Sequence, residues 1–262
     1  GCGHWGKNLV RNFSELGALF SICDSKTEVA NKYAAQYNVK NSSFIEILND
    51  PNIKGVALTV PANLHASMAI EAMTAGKNVF VEKPLAMNEV EAELMILTAK
   101  KNNVQLMVGH LLQYHPIFKT IKKVYSAGEI GELNYIYSNR LSFGKVRTNE
   151  DIIWSFAPHD ISMILSLVGQ NPEFVIAKST STLQKNLADT ATIHMEFKSG
   201  LKSHILVSWL NPFKEVKLVV SGMSAMLVFD DTKPWNKKLA LYPYEAKYSK
   251  ELINLKNSDV KY

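Results

Sequence analysis

Cysteine is nearly absent: Cys2 and Cys23 are the only two in 262 residues. Two thiols cannot build a disulfide framework or a thiolate metal site, and a reducing cytoplasm is the expected compartment. No apolar run reaches the roughly 18 residues a membrane span needs, and no secretory leader is evident, so no membrane partner is expected. No group of histidines, cysteines and carboxylates has metal-ligand spacing, so no metal is expected either. Internal repeats and low-complexity segments are also missing. Charge of one sign is in modest excess, at +5, but the lysines are scattered and many fall between Lys233 and Lys261. A solvated surface with a polar basic tail explains that excess better than nucleic-acid binding.

What is present is an ordinary globular composition, 47% apolar and 20% charged, in a chain long enough for one large domain or two smaller ones. Up to about Gly109 the pattern alternates strand and helix. Helices are expected at residues 8–16, 27–37, 44–48, 64–75 and 89–101, and strands at 18–23, 56–60, 79–81 and 104–108. Such alternation implies a parallel sheet covered on both faces. From His110 the grammar changes. Helices are expected at 116–127 and 158–168, the latter opening at Pro158, with an extended run at 133–143 and largely β structure over 174–229. In the segment 189–197, Ala191, Ile193, Met195 and Phe197 alternate with Thr190, Thr192, His194 and Glu196, and Ser199-Gly200 marks a hairpin into residues 201–210. The expected fold is an α/β Rossmann domain over 1–109, then an α+β domain over 110–262 with a large, mainly antiparallel open sheet.

Gly1-Cys2-Gly3-His4-Trp5-Gly6 is a G-x-G-x-x-G loop. Its glycines permit a tight turn and close approach of backbone to a pyrophosphate, with a helix N-terminus behind. A strand is expected before such a loop, so about half a dozen residues are expected ahead of Gly1; the last residues also read as an interrupted end. Asp24 lies eighteen residues beyond Gly6, at the end of the second expected strand. A carboxylate there can accept hydrogen bonds from ribose hydroxyls and disfavours a 2′-phosphate, so NAD is the expected cofactor, with Ser25 and Lys26 leaving NADP open. The structural alternative is that Asp24 caps the helix near Thr27. Thr59, Pro61 and Asn63 end the next strand over the crevice where open α/β sheets bind ligands. His65 follows as either a ligand residue or a polar residue of the first helical turn. Glu82-Lys83-Pro84 ends a further strand. Lys83 beside a cationic ring can shuttle a proton as hydride moves, unless it is a surface lysine in an ordinary turn.

These segments resemble the Gfo/Idh/MocA oxidoreductases, the family of glucose–fructose oxidoreductase and inositol dehydrogenase. The likeness rests on Gly1–Gly6, Asp24, Thr59–His65 and Gly76–Ala86, and continues through Val108–His110, Tyr114-His115-Pro116 and Pro158-His159-Asp160. It implies that Lys83 is the catalytic lysine and that His159 is its acid/base partner. Many members carry an aspartate four residues before that histidine; here Ser155 stands there, leaving Ser155 or Asp160 as the possible partner of His159. The stretches Tyr114-His115-Pro116 and Trp154–Ser162 look most like the branch acting on nucleotide-linked sugars, which implies oxidation of a UDP-N-acetylhexosamine, or its uronic acid, at C3.

A nucleotide diphosphate needs cations. Arg140 is the first candidate on a segment continued by Lys145 and Arg147, and a charged flexible loop is the competing reading. Tyr114, His115, Trp154 and Ser155 complete the expected substrate set; His110 and His115 flank the domain boundary, whereas His194 and His204 are expected on sheet faces. A free-sugar or inositol dehydrogenase and a non-catalytic NAD(H)-binding protein are the rival readings. The two mixed faces of the 201–209 strand suggest a homodimer or homotetramer built through the C-terminal sheet.

Overall fold

The computed structural model describes residues 1–144, 146–148, 150–248 and 253–262, and divides into two compact units, Gly1–Gly109 and His110–Tyr262. Lys145, one of the cations expected near the substrate, lies outside the described residues. No helix among the described residues is long and apolar enough to cross a membrane.

The first unit runs α1 (Gly6–Glu15), β1 (Ser21–Ile22), α2 (Thr27–Tyr37), β2 (Lys40–Asn41), α3 (Phe44–Asn49), β3 (Gly55–Leu58), a 3-10 turn at Ala62–Leu64, α4 (His65–Thr74), β4 (Asn78–Val81), α5 (Glu89–Lys101) and β5 (Leu106–Val108). All its strand pairs are parallel, β1 with β2 and β3-β4-β5 in that order. Gly1 joins the two groups: its nitrogen donates to the Cys23 carbonyl at 2.9 Å, and the Thr59 hydroxyl donates to the Gly1 carbonyl. Side-chain caps explain several helix starts. Ser43 and Glu46 form a capping box on α3, and Asn88 caps α5, which carries acids in its first turn and lysines in its last. The strand expected over 18–23 is only two residues long, because Ala18 and Leu19 still donate to the Phe13 carbonyl behind α1. Its partner β2 went unread, being a two-residue exposed strand with no apolar signal. The core gathers Leu58, Ala69, Ala72, Met73, Val79, Val81 and Met95, with a smaller cluster of Cys2, Val10, Ile22, Ala30 and Ala34.

The second unit continues with a 3-10 turn at Leu111–Tyr114, α6 (Pro116–Ser126), β6 (Leu133–Phe143), α7 (Ile152–Val168), β7 (Phe174–Thr180), β8 (Thr190–Glu196), β9 (Lys202–Ser208), β10 (Leu210–Gly222), β11 (Ala225–Asp230), a 3-10 turn at Trp235–Lys237, β12 (Leu239–Tyr248) and β13 (Ile253–Asn257). One eight-stranded sheet orders them β13-β12-β11-β10-β6-β9-β8-β7, antiparallel throughout except for β6 beside β9. The chain is thus a Rossmann-like α/β unit plus an antiparallel-rich mixed sheet with helices.

Two expectations need correction here. The segment read as a polar tail from Lys233 onward contributes β12 and β13, whose charged residues mark the edge of a sheet rather than the absence of one. The helix expected to open at Pro158 begins six residues earlier, with Asp151 as its N-cap accepting from the Trp154 N–H at 3.0 Å. Pro158 therefore sits inside α7 and removes one helical hydrogen bond. Burial of Ile152, Ala157, Met163, Ile164 and Leu167 against the sheet holds the helix together across it.

Helical packing selects one sheet face. Ile136, Leu218, Val220, Ile193, Ile205, Val207, Leu227 and Phe229 join α6 and α7 in the core, as do Ala191 and Met195 of the alternating run. Tyr135, Tyr137, Thr192, His194, Lys202, His204 and Leu206 lie on the other face. His204 stacks on Tyr137 with ring centroids 5.3 Å apart and hydrogen-bonds Tyr135, while His194 meets Glu196 at 3.3 Å. Both histidines are sheet-face residues.

Candidate cofactor and catalytic sites

In the first unit the glycine loop lies at the C-terminal end of β1 and leads directly into α1. No side chain caps the start of α1; the Lys7 and Asn8 N–H groups donate to the Gly3 and Trp5 carbonyls at 3.2 and 2.9 Å, so the glycine loop winds directly into the first turn and sets the positive end of the helix behind it. A Cβ on Gly6 would strike the Gly1 carbonyl oxygen and come within 2.6 Å of the Thr59 hydroxyl, so the third glycine is required by packing. A Cβ on Gly3 would meet nothing within 4 Å, which leaves open space over the loop. His4 and Trp5, the loop's other side chains, are exposed.

Asp24 has both carboxylate oxygens on the backbone: Oδ2 accepts from the Cys2 N–H at 2.6 Å and Oδ1 from the Lys26 N–H at 2.9 Å. Burial works to raise its pKa, but the Cys2 and Lys26 backbone donors, together with the positive charges of the Gly1 amine and Lys26, hold the carboxyl below its ordinary value. Lone pairs remain on both oxygens for hydroxyl donors. The carboxylate steadies the glycine loop and the approach to α2 at once; the N-cap of α2 is Lys26, without a side-chain cap, so Asp24 is not the helix cap. Ser25 beside it is exposed. An open glycine turn leading into a helix and a carboxylate at the next strand end fit a dinucleotide.

Thr59 spends its hydroxyl on the Gly1 carbonyl, so it shapes the loop from below. Pro61 and Asn63 are exposed at the 3-10 turn. Of the two readings of His65, the structure shows the polar residue in the first turn of α4. It is 1% exposed, with Nδ1 2.7 Å from the Pro84 carbonyl and Nε2 2.9 Å from the Val60 carbonyl. Both ring nitrogens are committed to main chain, so His65 buckles the end of β3 to the turn after β4. Lys83, half-buried, precedes a cis bond to Pro84 in that turn. Glu82 accepts from the Trp5 indole N–H at 2.7 Å, a contact nothing in the sequence signalled.

In the second unit His159 is half-buried in the middle of α7, and Ser155 is buried one turn earlier on the same side of the helix. Asp160, the residue after His159, is engaged with β6. Its Oδ2 and Oδ1 accept from Arg140 Nε at 2.7 Å and Nη2 at 3.1 Å, and Oδ1 also accepts from the Ser138 hydroxyl at 2.5 Å. Arg140, the first candidate cation for a diphosphate, is therefore half of a nearly enclosed ion pair between β6 and α7. The signal was available: Ile136, Ser138 and Arg140 share the inward face of β6, and an inward arginine needs a buried anion. Arg147 is half exposed, 3.6 Å from Glu150.

His115 is likewise committed. Its Nδ1 accepts from the Ile117 N–H at 3.2 Å, capping α6, and its ring lies 5.1 Å from Phe229 and 5.9 Å from Trp235. Burial pushes its pKa down; Asp231 opposes this and Lys238 adds to it. With the folded pKa below about 6.5, the unfolded chain takes up the proton first, so this stabilisation is present above about 6.5 and is lost as pH falls. His115→Asn keeps a capping oxygen without the titration. Denaturant midpoints at pH 7.5 and 5.5 should fall further in the parent than in this variant; equal falls would remove the capping role. Tyr114 and Trp154 are exposed. The sequence reading also missed Asp189, fully buried and accepting from the Trp209 indole and the Thr182 and Leu183 N–H groups, which organises the loop between β7 and β8.

Comparison with known proteins agrees with both units. Residues 1–110 match the oxidoreductase family with an NAD-binding Rossmann fold, GFO/IDH/MocA, and residues 118–228 match the GFO/IDH/MocA C-terminal domain. An uncharacterised oxidoreductase, YrbE, of Bacillus subtilis is 28% identical over 76% of this chain and 63% of its own length. The UDP-N-acetylglucosamine 3-dehydrogenase of Acidithiobacillus ferrooxidans is 27% identical over 79% of this chain and 65% of its own. The chain thus spans just under two thirds of these curated relatives. Its fold is shared with the solved structure of the Acidithiobacillus enzyme (TM-score 0.84, 24% identity, 100% of this chain and 82% of that one). It is also shared with the WlbA dehydrogenase of Bordetella pertussis, solved with NADH and UDP-GlcNAcA (TM-score 0.81, 22% identity, 88% and 72%).

Proposed function

This chain belongs to the GFO/IDH/MocA oxidoreductase family, and from that premise we propose that it oxidises a secondary hydroxyl of a UDP-N-acetylhexosamine, or its uronic acid, at C3. NAD⁺ would supply the hydride acceptor when bound, held by Gly1, Gly3, Gly6 and Asp24. NAD is favoured over NADP because the Asp24 carboxylate, kept ionised by two backbone donors, would repel a 2′-phosphate. Lys83 takes the proton of the reacting hydroxyl, and His159 from the second unit assists in proton handling. The observation that carries the reading is the Trp5–Glu82 hydrogen bond of 2.7 Å, which ties the turn bearing Lys83 to the glycine loop.

The substrate class is supported by relatives that act on or bind UDP-N-acetylglucosamine and its uronic acid. One observation favours a second reading, a free-sugar or inositol dehydrogenase: Arg140 is already paired, leaving half-exposed Arg147 as the remaining described cation of that segment. A relative named myo-inositol 2-dehydrogenase, from Thermotoga maritima, is 28% identical over 59% of this chain and 49% of its own length. The sheet face opposite α6 and α7, which carries Tyr135, Tyr137 and His204, is the surface we assign to homo-oligomer contacts.

The test is NADH appearance at 340 nm across UDP-sugars and free polyols. Turnover on a UDP-N-acetylhexosamine that drops about 10³-fold or more in Lys83→Ala, with NADH binding retained, is the expected result. Turnover on polyols alone would move the protein to the second reading. NADH binding without turnover on any compound would make it a non-catalytic sensor or scaffold.

A further inference from the structure

Glu82 follows β4 directly, beside Lys83, and its carboxylate faces two N–H donors. Oε1 accepts from the Trp5 indole N–H at 2.7 Å, and Oε2 faces the Lys83 backbone N–H at 3.3 Å. A Cβ on Gly109 would come within 2.9 to 3.0 Å of the same carboxylate, so the end of β5 approaches it as closely as only glycine allows. Three loops at the C-terminal edge of the parallel strands therefore meet on one side chain: the glycine loop, the turn after β4 and the turn after β5. The backbone beneath is fixed as well, since the Glu82 N–H donates to the Leu58 carbonyl at 3.0 Å and the Gly109 N–H to the Val81 carbonyl at 2.7 Å. On the far side of Lys83, His65 holds the Pro84 carbonyl. Lys83 is thus flanked by two anchored residues, and the anchor on its N-terminal side runs through Trp5 to the loop that would seat the pyrophosphate.

We propose that Glu82 is a positioning residue that transmits occupancy of the glycine loop to the turn carrying Lys83, with Trp5 as the link. This rests on the reading above, in which Lys83 works beside a cofactor held by that loop. The chemistry of the pair is selective. An ionised carboxylate offers acceptors to both N–H groups, whereas glutamine of the same size must turn its NH₂ toward one of them, so Glu82→Gln loosens one contact whichever way it flips. Trp5→Phe keeps a ring in place and deletes the donor.

Hydrogen–deuterium exchange with ADP-ribose as probe tests the link, because ADP-ribose can occupy the glycine loop and lacks the nicotinamide that would touch Lys83 directly. In the parent chain, ADP-ribose should slow exchange about tenfold both in peptides covering residues 2–7 and in those covering 80–87. In Glu82→Gln and in Trp5→Phe, protection should persist at 2–7 and fall below about threefold at 80–87. The double variant should resemble either single one, as expected when both changes cut one connection. In steady-state assays, kcat should drop about tenfold in each variant, with the dissociation constant for NADH changed less than threefold. Unchanged protection at 80–87 in the variants, or none in a parent that binds ADP-ribose, overturns the inference alone. A parent that binds neither ADP-ribose nor NADH overturns the proposed function, and this inference falls with it.

Discussion

Arg140→Ala should lower the folding stability of the second unit by about 3–5 kcal/mol, among the largest effects available to a single substitution in this chain. Asp160 is 1% exposed, and the substitution would leave its carboxylate with the Ser138 hydroxyl as its one remaining donor among the described residues. A buried carboxylate that loses a bidentate guanidinium retains its desolvation cost without the attraction that offset it. The loss should appear as a lower denaturant midpoint. Loss of activity would follow the folded fraction rather than a rise in KM specific to UDP-sugars. The paired substitution Arg140→Met with Asp160→Leu removes both charges and keeps most of the volume, so it should recover most of the stability. If Arg140→Ala instead folds normally and raises KM for a UDP-sugar far more than for a free sugar, the guanidinium reaches substrate in solution, and the ion pair is not its main occupation.

That pair also shows where a sequence stops being readable. Local signals were sufficient for α5: Asn88, the acids behind it and the two terminal lysines mark both ends, and the helix runs Glu89–Lys101 as read. Strict alternation was sufficient for β8, where Ala191, Ile193 and Met195 went to the core. Pro158 misled because a proline is at home in the first turn of a helix, and nothing local shows that tertiary burial will carry a helix past one. The strands β12 and β13 misled because edge strands carry charges that also mark exposed tails. At the site, the glycine loop, Asp24 and Lys83 were visible because spacing along one βα repeat constrains them. Their partners were not. Trp5 meets Glu82 across 77 positions, His65 meets Pro84 across 19, and Arg140 meets Asp160 across 20. Each pairing depends on which loop ends the folded sheet brings side by side, and no residue-type pattern encodes that.

The second and third glycines of the loop should fail in different ways when changed to alanine. In Gly6→Ala, helix propensity favours alanine by less than the about 1 kcal/mol of a helix interior, since Gly6 is the first residue of α1. The added methyl, however, would run into the Gly1 carbonyl, which is already held by the Thr59 hydroxyl, and this neighbour is backbone that cannot turn aside. Overpacking of this kind costs about 1–3 kcal/mol, so Gly6→Ala should lower the melting temperature of the first unit and weaken NADH binding together. In Gly3→Ala the methyl enters space that no protein atom occupies within 4 Å, so the melting temperature without ligand should stay within about 2 °C of the parent. NADH affinity should nonetheless fall about thirtyfold, or ~2 kcal/mol, because that space is where a pyrophosphate would approach the backbone. Thermal unfolding with and without NADH measures both quantities at once. A Gly3→Ala chain that binds NADH as tightly as the parent would mean that the pyrophosphate does not lie over this loop, and the cofactor assignment for Gly1, Gly3 and Gly6 would have to be withdrawn.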